Sequence, residues 1–515
     1  MSDSGFVLNR LGGCFKRRPK VHDVKARFYL LVIAGFFASA VMLALGACAI
    51  SPATGRPVLT GMMTTAEEAR IGREQYPQVI QAFGGIYADR ALQSYISRVG
   101  QSLARQTERT DTPCTFTILD SPIVNALSTP GGYVYVTRGL LALADSEAEV
   151  AGVLGHELGH ITGRHHAQQQ SRQTLASIGL AILAATVKVP PALMQGTQLV
   201  ALSYLASFSR EQEYEADQLG ARYMARAGYD PHALADFLTT LQAHADLETA
   251  MLGRAARAER FDFLATHPTT AARVDSAIAA AKVAIVTNPT VGRDSYLDAI
   301  DGMTYGQSGA QGFIRGRVFS HPDLRIRFEV PPEYQLFNTQ SAVYALGPGD
   351  ATIIFDAAPA AEQLQSVTMV QYVSGAVRPG LPDVTATRIN GLEAATGSLN
   401  VDTNRGRMEL RLAAIRVAPT AIYRFRFLTP TRLLSELGPG NLRTLESFRM
   451  LTTAEAAALK PLRIHLVTIK KGQTVDILAR KMPFERYQVE RFGVLNGIAP
   501  NAKLVPGQRV KVVTE

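Results

Sequence analysis

The sequence predicts a multidomain chain: a mainly α-helical domain with a small edge sheet, then an α+β domain with an antiparallel sheet, then a small βααβ module. Three observations carry this. The chain has 515 residues, more than one apolar core usually supports. Apolar residues recur at helical spacing from Thr64 to about Lys282, and at a spacing of two between about 319 and 450. Residues 462–515 then read as strand, helix, helix and strand. Hydrophobic residues at 47% and charged residues at 19% are the composition of folded globular protein, which excludes a disordered chain.

Residues 1–47 read as an export leader. Arg10, Lys16, Arg17, Arg18, Lys20, Lys25 and Arg27 precede an uncharged run from Phe28 to Ala47, a basic region followed by an apolar one. That run is also long enough to span a bilayer, so an uncleaved anchor is the competing reading. The stretch LALGAC, ending at Cys48, resembles the lipobox of bacterial lipoproteins, where cleavage before the cysteine leaves it to carry the lipid. The resemblance implies lipidation at Cys48 and a place on the periplasmic face of the cell envelope. Ala49 at the next position, instead of aspartate, implies the outer membrane of a Gram-negative bacterium. Of the three cysteines, removal of Cys14 and lipidation of Cys48 leave Cys114 alone, so no internal disulfide forms and the cores hold the fold.

The formal charge of +9 is unevenly placed: residues 1–47 carry +5 and residues 460–515 carry +7, leaving −3 for the body. In an exported protein such a basic tail fits anionic lipid or cell-wall polymer, and no nucleic-acid partner is expected.

Each element follows from local signals. TTAEEARIGREQYPQVI opens with a threonine at a capping position and an acidic first turn. CTFTILD and GGYVYVTRG read as strands around a loop holding Asn125 and Pro130. Helices resume at Ser146. The apolar run 175–187 is too short to cross a membrane and reads as a buried or interfacial helix, ended by VPP. Six glycines from Gly292 to Gly316 mark a loop-rich connector. Beyond it LRIRFEV and YRFRF alternate apolar with charged residues, as antiparallel strands do, before a helix around Leu433 to Phe448. The expected boundaries are a leader at 1–47, a linker at 48–62, the helical domain at 63–290 and a connector at 291–318. An α+β domain of unassigned role follows at 319–450, then a linker at 451–461 and the terminal module at 462–515.

HELGH places His156 and His160 four residues apart, on one face of a helix, where both imidazoles can reach one metal ion. Glu157 between them is placed to act on water, not on the metal. Zinc takes such ligands, needs a third from the protein, and lowers the pKa of water towards about 7, so that a carboxylate can take its proton.

Two residues compete to be the third ligand. HELGHITGRHH satisfies the spacing H-E-x-x-H-x-x-G-x-x-H, with Gly163 as the turn and His166 as the ligand. Alternatively SREQEYEAD places Glu213 and Asp217 four apart on a later helix, one able to ligate and the other to accept a hydrogen bond from a ligating imidazole. Glu211 and Glu215 are then surface charges. The reading favours Glu213, because the residues after Gly163 keep helical character without turn residues and no methionine-bearing turn is evident.

With these motifs in place, residues 60–285 resemble the gluzincin zinc metallopeptidases: the CAAX-prenyl proteases, the bacterial heat-shock membrane protease and the periplasmic protease that enhances β-barrel assembly. HELGH with RHH, SREQEYEAD and THPTTAARV carry the resemblance. It implies a zincin-like domain holding one zinc ion, with His156, His160 and Glu213 as ligands, Glu157 as general base and Asp217 behind the ligands. It implies further that His267 lies near the ion and can occupy a fourth position that restrains activity, and that Arg273 makes a local polar contact. NALSTPGGYVYV corresponds to the family's cleft-edge strand, implying that Asn125, Gly131, Gly132 and Tyr133 border an extended peptide substrate. His165 is a surface or supporting residue of the RHH group.

The last module, with a Lys-Gly turn before Thr474, LNGI and LVPGQRVKV, resembles a LysM domain, implying peptidoglycan as a partner; Gln473 replaces the usual acidic residue. The expectation for the whole chain is an exported endopeptidase acting on misfolded or stalled envelope proteins. The alternative is a chaperone-like or wall-anchored scaffold with a latent zinc site.

Overall fold

The computed structural model describes residues 48–51, 55–61, 63–174, 208–252, 263, 267, 271–339, 341–359, 362–377, 380–403 and 406–515. The expected leader at 1–47 and the apolar run 175–187 lie outside these. Among the described residues no helix is long and apolar enough to cross a membrane. The stretch expected as a linker, 48–62, contains a short antiparallel pair, Cys48–Ile50 with Pro57–Leu59.

The Thr64 hydroxyl accepts from the Glu67 amide and starts helix α1 (Thr65–Ala82), with Glu67 and Glu68 in its first turn as the sequence predicts. Asp89 caps α2 (Arg90–Ala104), whose Leu92, Ile96, Val99 and Leu103 form its buried stripe. Next come strands β1 (Thr115–Leu119), β2 (Ala126–Thr129) and β3 (Tyr133–Thr137), in the order β1-β3-β2, with β1 parallel and β2 antiparallel to β3. The loop expected between the two strands is thus itself a strand. Gly131 and Gly132, at φ 82° and 92°, fold it back onto β3, and any other residue there is strained.

Ser146 caps α4 (Glu147–Thr162), which follows the short α3 (Arg138–Leu143). Helix α4 is sheathed by α2, α5 (Arg210–Arg226) and α6 (His232–Leu252), with α7 (Ala271–Val283) packed against α5 and α6. The expected loop connector is mostly ordered structure. Helix α8 (Arg293–Ile300) puts Tyr296, Leu297 and Ile300 into the helical core, and β4 (Thr304–Tyr305) pairs with the terminal module. Its glycines terminate elements: Gly292, Gly302, Gly306, Gly312 and Gly316 all have positive φ.

The middle domain joins a seven-stranded and a four-stranded sheet, both antiparallel. They share one core with α9 (Leu434–Ser447), in which Phe319, Phe328, Phe355, Phe425 and Phe448 meet. Its first strand is Phe313–Arg315, upstream of the expected start at 319. The linker expected at 451–461 contains a capped helical turn, Thr453–Ala458, because Thr452 and Glu455 form a capping box.

The last module runs β5 (Leu462–Thr468), α10 (Val475–Ala479), α11 (Gln488–Leu495) and β6 (Arg509–Thr514), in the expected order. It is seated on the helical domain. Strand β5 pairs with both β6 and β4, and Ile464, fully buried, joins the same core as α8.

Candidate metal centre

Two helices build the centre, and glycines let them touch. A Cβ on Gly159 would stand 2.8 Å from the Ala216 carbonyl oxygen, and one on Gly155 3.2 Å from that of Gly220. With no side chains between them, α4 and α5 lie backbone to backbone, and Glu213 on the first turn of α5 reaches both histidines of α4. Its Oε2 is 3.6 Å from His156 Nε2 and its Oε1 3.6 Å from His160 Nε2, while the two Nε2 atoms are 3.0 Å apart. His267 joins them, with Nδ1 3.0 Å from Glu213 Oε1 and 3.3 Å from His156 Nε2. One donor atom from each of His156, His160, Glu213 and His267 lies within 4.8 Å of all the others, and all four residues are buried.

The donor set fits a cation. Asp217 Oδ1 is 2.8 Å from His156 Nδ1 and takes that ring's proton, which leaves the Nε2 lone pair facing His160 Nε2. Two such nitrogens buried at this distance repel unless a cation or proton lies between them. Two imidazoles and a carboxylate, with His267 at a further position, are ligand types that zinc takes.

Asp217 does not act alone. Arg273 donates Nε to Asp217 Oδ2 and Nη2 to Oδ1, both at 2.8 Å, and its Nη1 lies 2.7 Å from Glu213 Oε2 and 3.2 Å from the His267 carbonyl oxygen. Far from making a merely local contact, Arg273 ties α7, α5 and the His267 segment together. Burial would raise the Asp217 pKa, but Arg273 and His156 more than offset it and hold the carboxyl down at about 2. Glu213 is likewise held below its ordinary value: burial opposes this, and His267, His156 and Arg273 prevail. Burial would lower His267, yet Glu213 and Glu157 raise it above the usual imidazole value. His160 is driven well down by burial and by the neighbouring His156 and His165.

Glu157 is fully buried beside the donor group. Ser128 of β2 donates its hydroxyl to Oε2 at 2.8 Å, and Oε1 stands 3.4 Å from His267 Nε2. Nothing in the spacing of HELGH announces Ser128; only the extra strand puts it there. Two aromatic rings also line the site without a sequence signal. Phe208 stacks on His160 and Phe263 on His267, with ring centroids 4.0 and 4.6 Å apart.

The competing ligand, His166, stays out of the group. Its Nε2 lies 3.5 Å from Ser128 Oγ, and its ring meets the Phe208 edge. The helical character expected after Gly163 is there, since residues 165–174 are helix, but it is not continuous with α4. Helix α4 stops at Thr162, and Arg164, with φ 55°, separates it from the helix that resumes at His165. Gly163, the presumed turn residue, has an ordinary helical φ of −69°. Its role is space, since a Cβ there would lie 2.4 Å from His165 Nε2. His165 is accordingly buried, not at the surface, with Nδ1 2.8 Å from His160 Nδ1. Glu215 is no free surface charge either, with Oε2 3.5 Å from His165 Nε2; Glu211 is exposed, as expected.

The residues expected at the substrate edge fall just outside it. Of the two outer strands, the one beside Glu157 is β2, Ala126–Thr129. Asn125 precedes it with its backbone paired to Thr137, Gly131 and Gly132 form the turn, and Tyr133 opens the central strand β3.

A family model described as Peptidase family M48 matches residues 90–281, a span that contains every residue of this centre. Residues 90–281 are an M48 peptidase domain. The chain is 33% identical over 174 residues to the beta-barrel assembly-enhancing protease of Yersinia pestis, covering 32% of this chain and 36% of that one. To the protein of the same name from Escherichia coli (strain K12) it is 28% identical over 187 residues, covering 35% and 38%. To the mitochondrial metalloendopeptidase OMA1 of Schizosaccharomyces pombe it is 30% identical over 213 residues, covering 40% and 59%. The chain therefore spans less than two thirds of the length of these curated relatives. M48 peptidases are zinc-dependent, and the buried His-His-Glu-His group of this M48 domain is able to hold the ion.

Proposed function

We propose that the chain is a zinc endopeptidase of the bacterial cell envelope. The observation that carries this is the convergence of His156, His160 and Glu213 beside Glu157 in one buried cluster. When bound, zinc would polarise the scissile carbonyl and acidify water. Glu157 takes the proton of the attacking water at Oε1 while Ser128 holds Oε2, and passes that proton to the leaving amine. Asp217 and Arg273 keep His156 and Glu213 aimed. Strand β2, at the sheet edge, offers backbone pairing to an extended peptide, which selects for unfolded chain more than for sequence.

His267 supplies restraint. It sits among the three ligands, and its backbone is held by Arg273, so substrate gains the centre once His267 withdraws. The relatives named for β-barrel assembly support misfolded or stalled envelope proteins as substrates. Export through residues 1–47, a lipid at Cys48, the outer membrane and peptidoglycan binding by the last module complete the proposal. A second reading, a chaperone-like or scaffold protein with a latent centre, is favoured by one feature: His156, Glu157, His160, Glu213 and His267 are each at most 1% exposed.

Casein cleavage by the mature chain decides between them. Glu157→Gln should retain zinc and lose about 10²–10⁴-fold in rate, the usual worth of a general base. Equal cleavage by both forms would remove the peptidase reading.

A further inference from the structure

We propose that His165 and Glu215 are positioning residues that decide which nitrogen of His160 faces the metal. This rests on the reading of the centre as a zinc site. The starting point is an asymmetry. His156 is backed directly by a carboxylate, Asp217 at 2.8 Å, whereas His160 Nδ1 is backed at 2.8 Å by another imidazole, His165 Nδ1. Two ring nitrogens at that distance share one proton, and only one arrangement leaves His160 useful.

If His165 Nδ1 carried the proton, it would donate to His160 Nδ1. The single proton of neutral His160 would then sit on Nε2, aimed at His156 Nε2 only 3.0 Å away, and the ligand lone pair would be gone. In the other arrangement His160 Nδ1 donates to His165 Nδ1. Neutral His165 then keeps its proton on Nε2, which faces Glu215 Oε2 at 3.5 Å. The carboxylate is thus on the side where it favours the productive arrangement. His165 Nε2 is buried and makes no hydrogen bond, so the Glu215 carboxylate acts on a proton there as a nearby charge.

The local backbone serves this placement. The left-handed Arg164 breaks the helix just before His165, whose ring then meets His160, and the missing Cβ of Gly163 makes room for it. His165 is fully buried, so its orientation is fixed. The chain therefore reaches the same end by two routes, a carboxylate touching one ligand and a carboxylate acting through an intermediate ring on the other.

The test compares His165→Leu with His165→Asn in the mature chain. The two replacements have nearly the same shape, but only Asn places an acceptor where Nδ1 stands. Zinc affinity is read by competition with a chromophoric chelator. The expected result is a loss of about 10–100-fold for His165→Leu, the usual cost of removing a partner behind a ligand, with most of it restored in His165→Asn. Glu215→Gln should lose affinity in the same direction and by less. Equal affinity of the Leu and Asn forms would overturn the proposal, because a packing role affects both alike. Should His165→Leu fail to fold, unchanged affinity in Glu215→Gln would overturn it instead. Glu213→Ala is the control: if it binds zinc like the parent, the reading of the centre fails, and not merely this inference.

Discussion

Burial sets the chemistry of Glu149, three residues into α4. It is raised from the ordinary 4.5 to about 7, by burial first and by Asp145 second. The folded form therefore holds a proton that the unfolded chain releases, so the contribution of this group is intact below pH 4.5 and is lost as pH rises to about 7. Glu149→Gln stays neutral throughout. Its stability relative to the parent should rise between pH 5 and pH 8 by about 3 kcal/mol at most. Thermal or urea unfolding at the two values checks this, and a constant difference would refute it. Among single residues, those with a spacing rule were legible: His156 and His160 by helical repeat, Glu213 and Asp217 by the same repeat on a second helix. Ser128, Phe208 and Phe263 were not, because each reaches the centre from a separate segment and no periodicity links them to it.

At the scale of elements, the seam between α4 and α5 is the feature on which the centre depends. Gly159→Ala would press a methyl group against the Ala216 backbone, which cannot yield as a flexible side chain can. Overpacking of this kind costs about 1–3 kcal/mol, and the spreading helices should pull Glu213 away from both imidazoles. A lower urea midpoint together with reduced zinc content is expected; full zinc content at unchanged stability would show that the seam is not tight. Helix starts were legible because capping is local: Thr64 and Ser146 announce theirs through side chains next to the first turn. The break at Arg164 was not, since arginine carries no turn signal and is held in the left-handed region by tertiary bonds, with Nε on Glu68 and Nη2 on the Met63 carbonyl. The connector misled for a related reason. Its glycines suggest loop, yet they close short elements whose apolar faces have cores to join.

For the whole molecule, the sequence placed the last module as a separate unit, whereas the structure sews it to the peptidase domain. Lys511 of β6 is fully buried, and its Nζ donates to the carbonyls of Ala142, Leu143 and Ala144 at 2.6–3.2 Å, with Asp145 at 3.1 Å. These groups end α3 and lead into α4, so the module caps the stretch that launches the HELGH helix. Asn496 in turn holds the Lys511 backbone on both sides. Lys511→Met strips a buried pair of one partner and should cost about 3–5 kcal/mol, lowering the unfolding midpoint of peptidase domain and module together; a midpoint that does not move would mean the module is merely tethered. Composition could not reveal this, because a buried lysine and a solvated one look alike in a basic tail.

The central claim is that two imidazoles of α4 and one carboxylate of α5 share a single cation. Anomalous diffraction at the zinc edge, on crystals of the zinc-loaded protein, tests it most directly. One peak should appear at about 2.0–2.2 Å from His156 Nε2, His160 Nε2 and a Glu213 oxygen, as zinc requires. A peak bonded to His166, with Glu213 turned away, would contradict it.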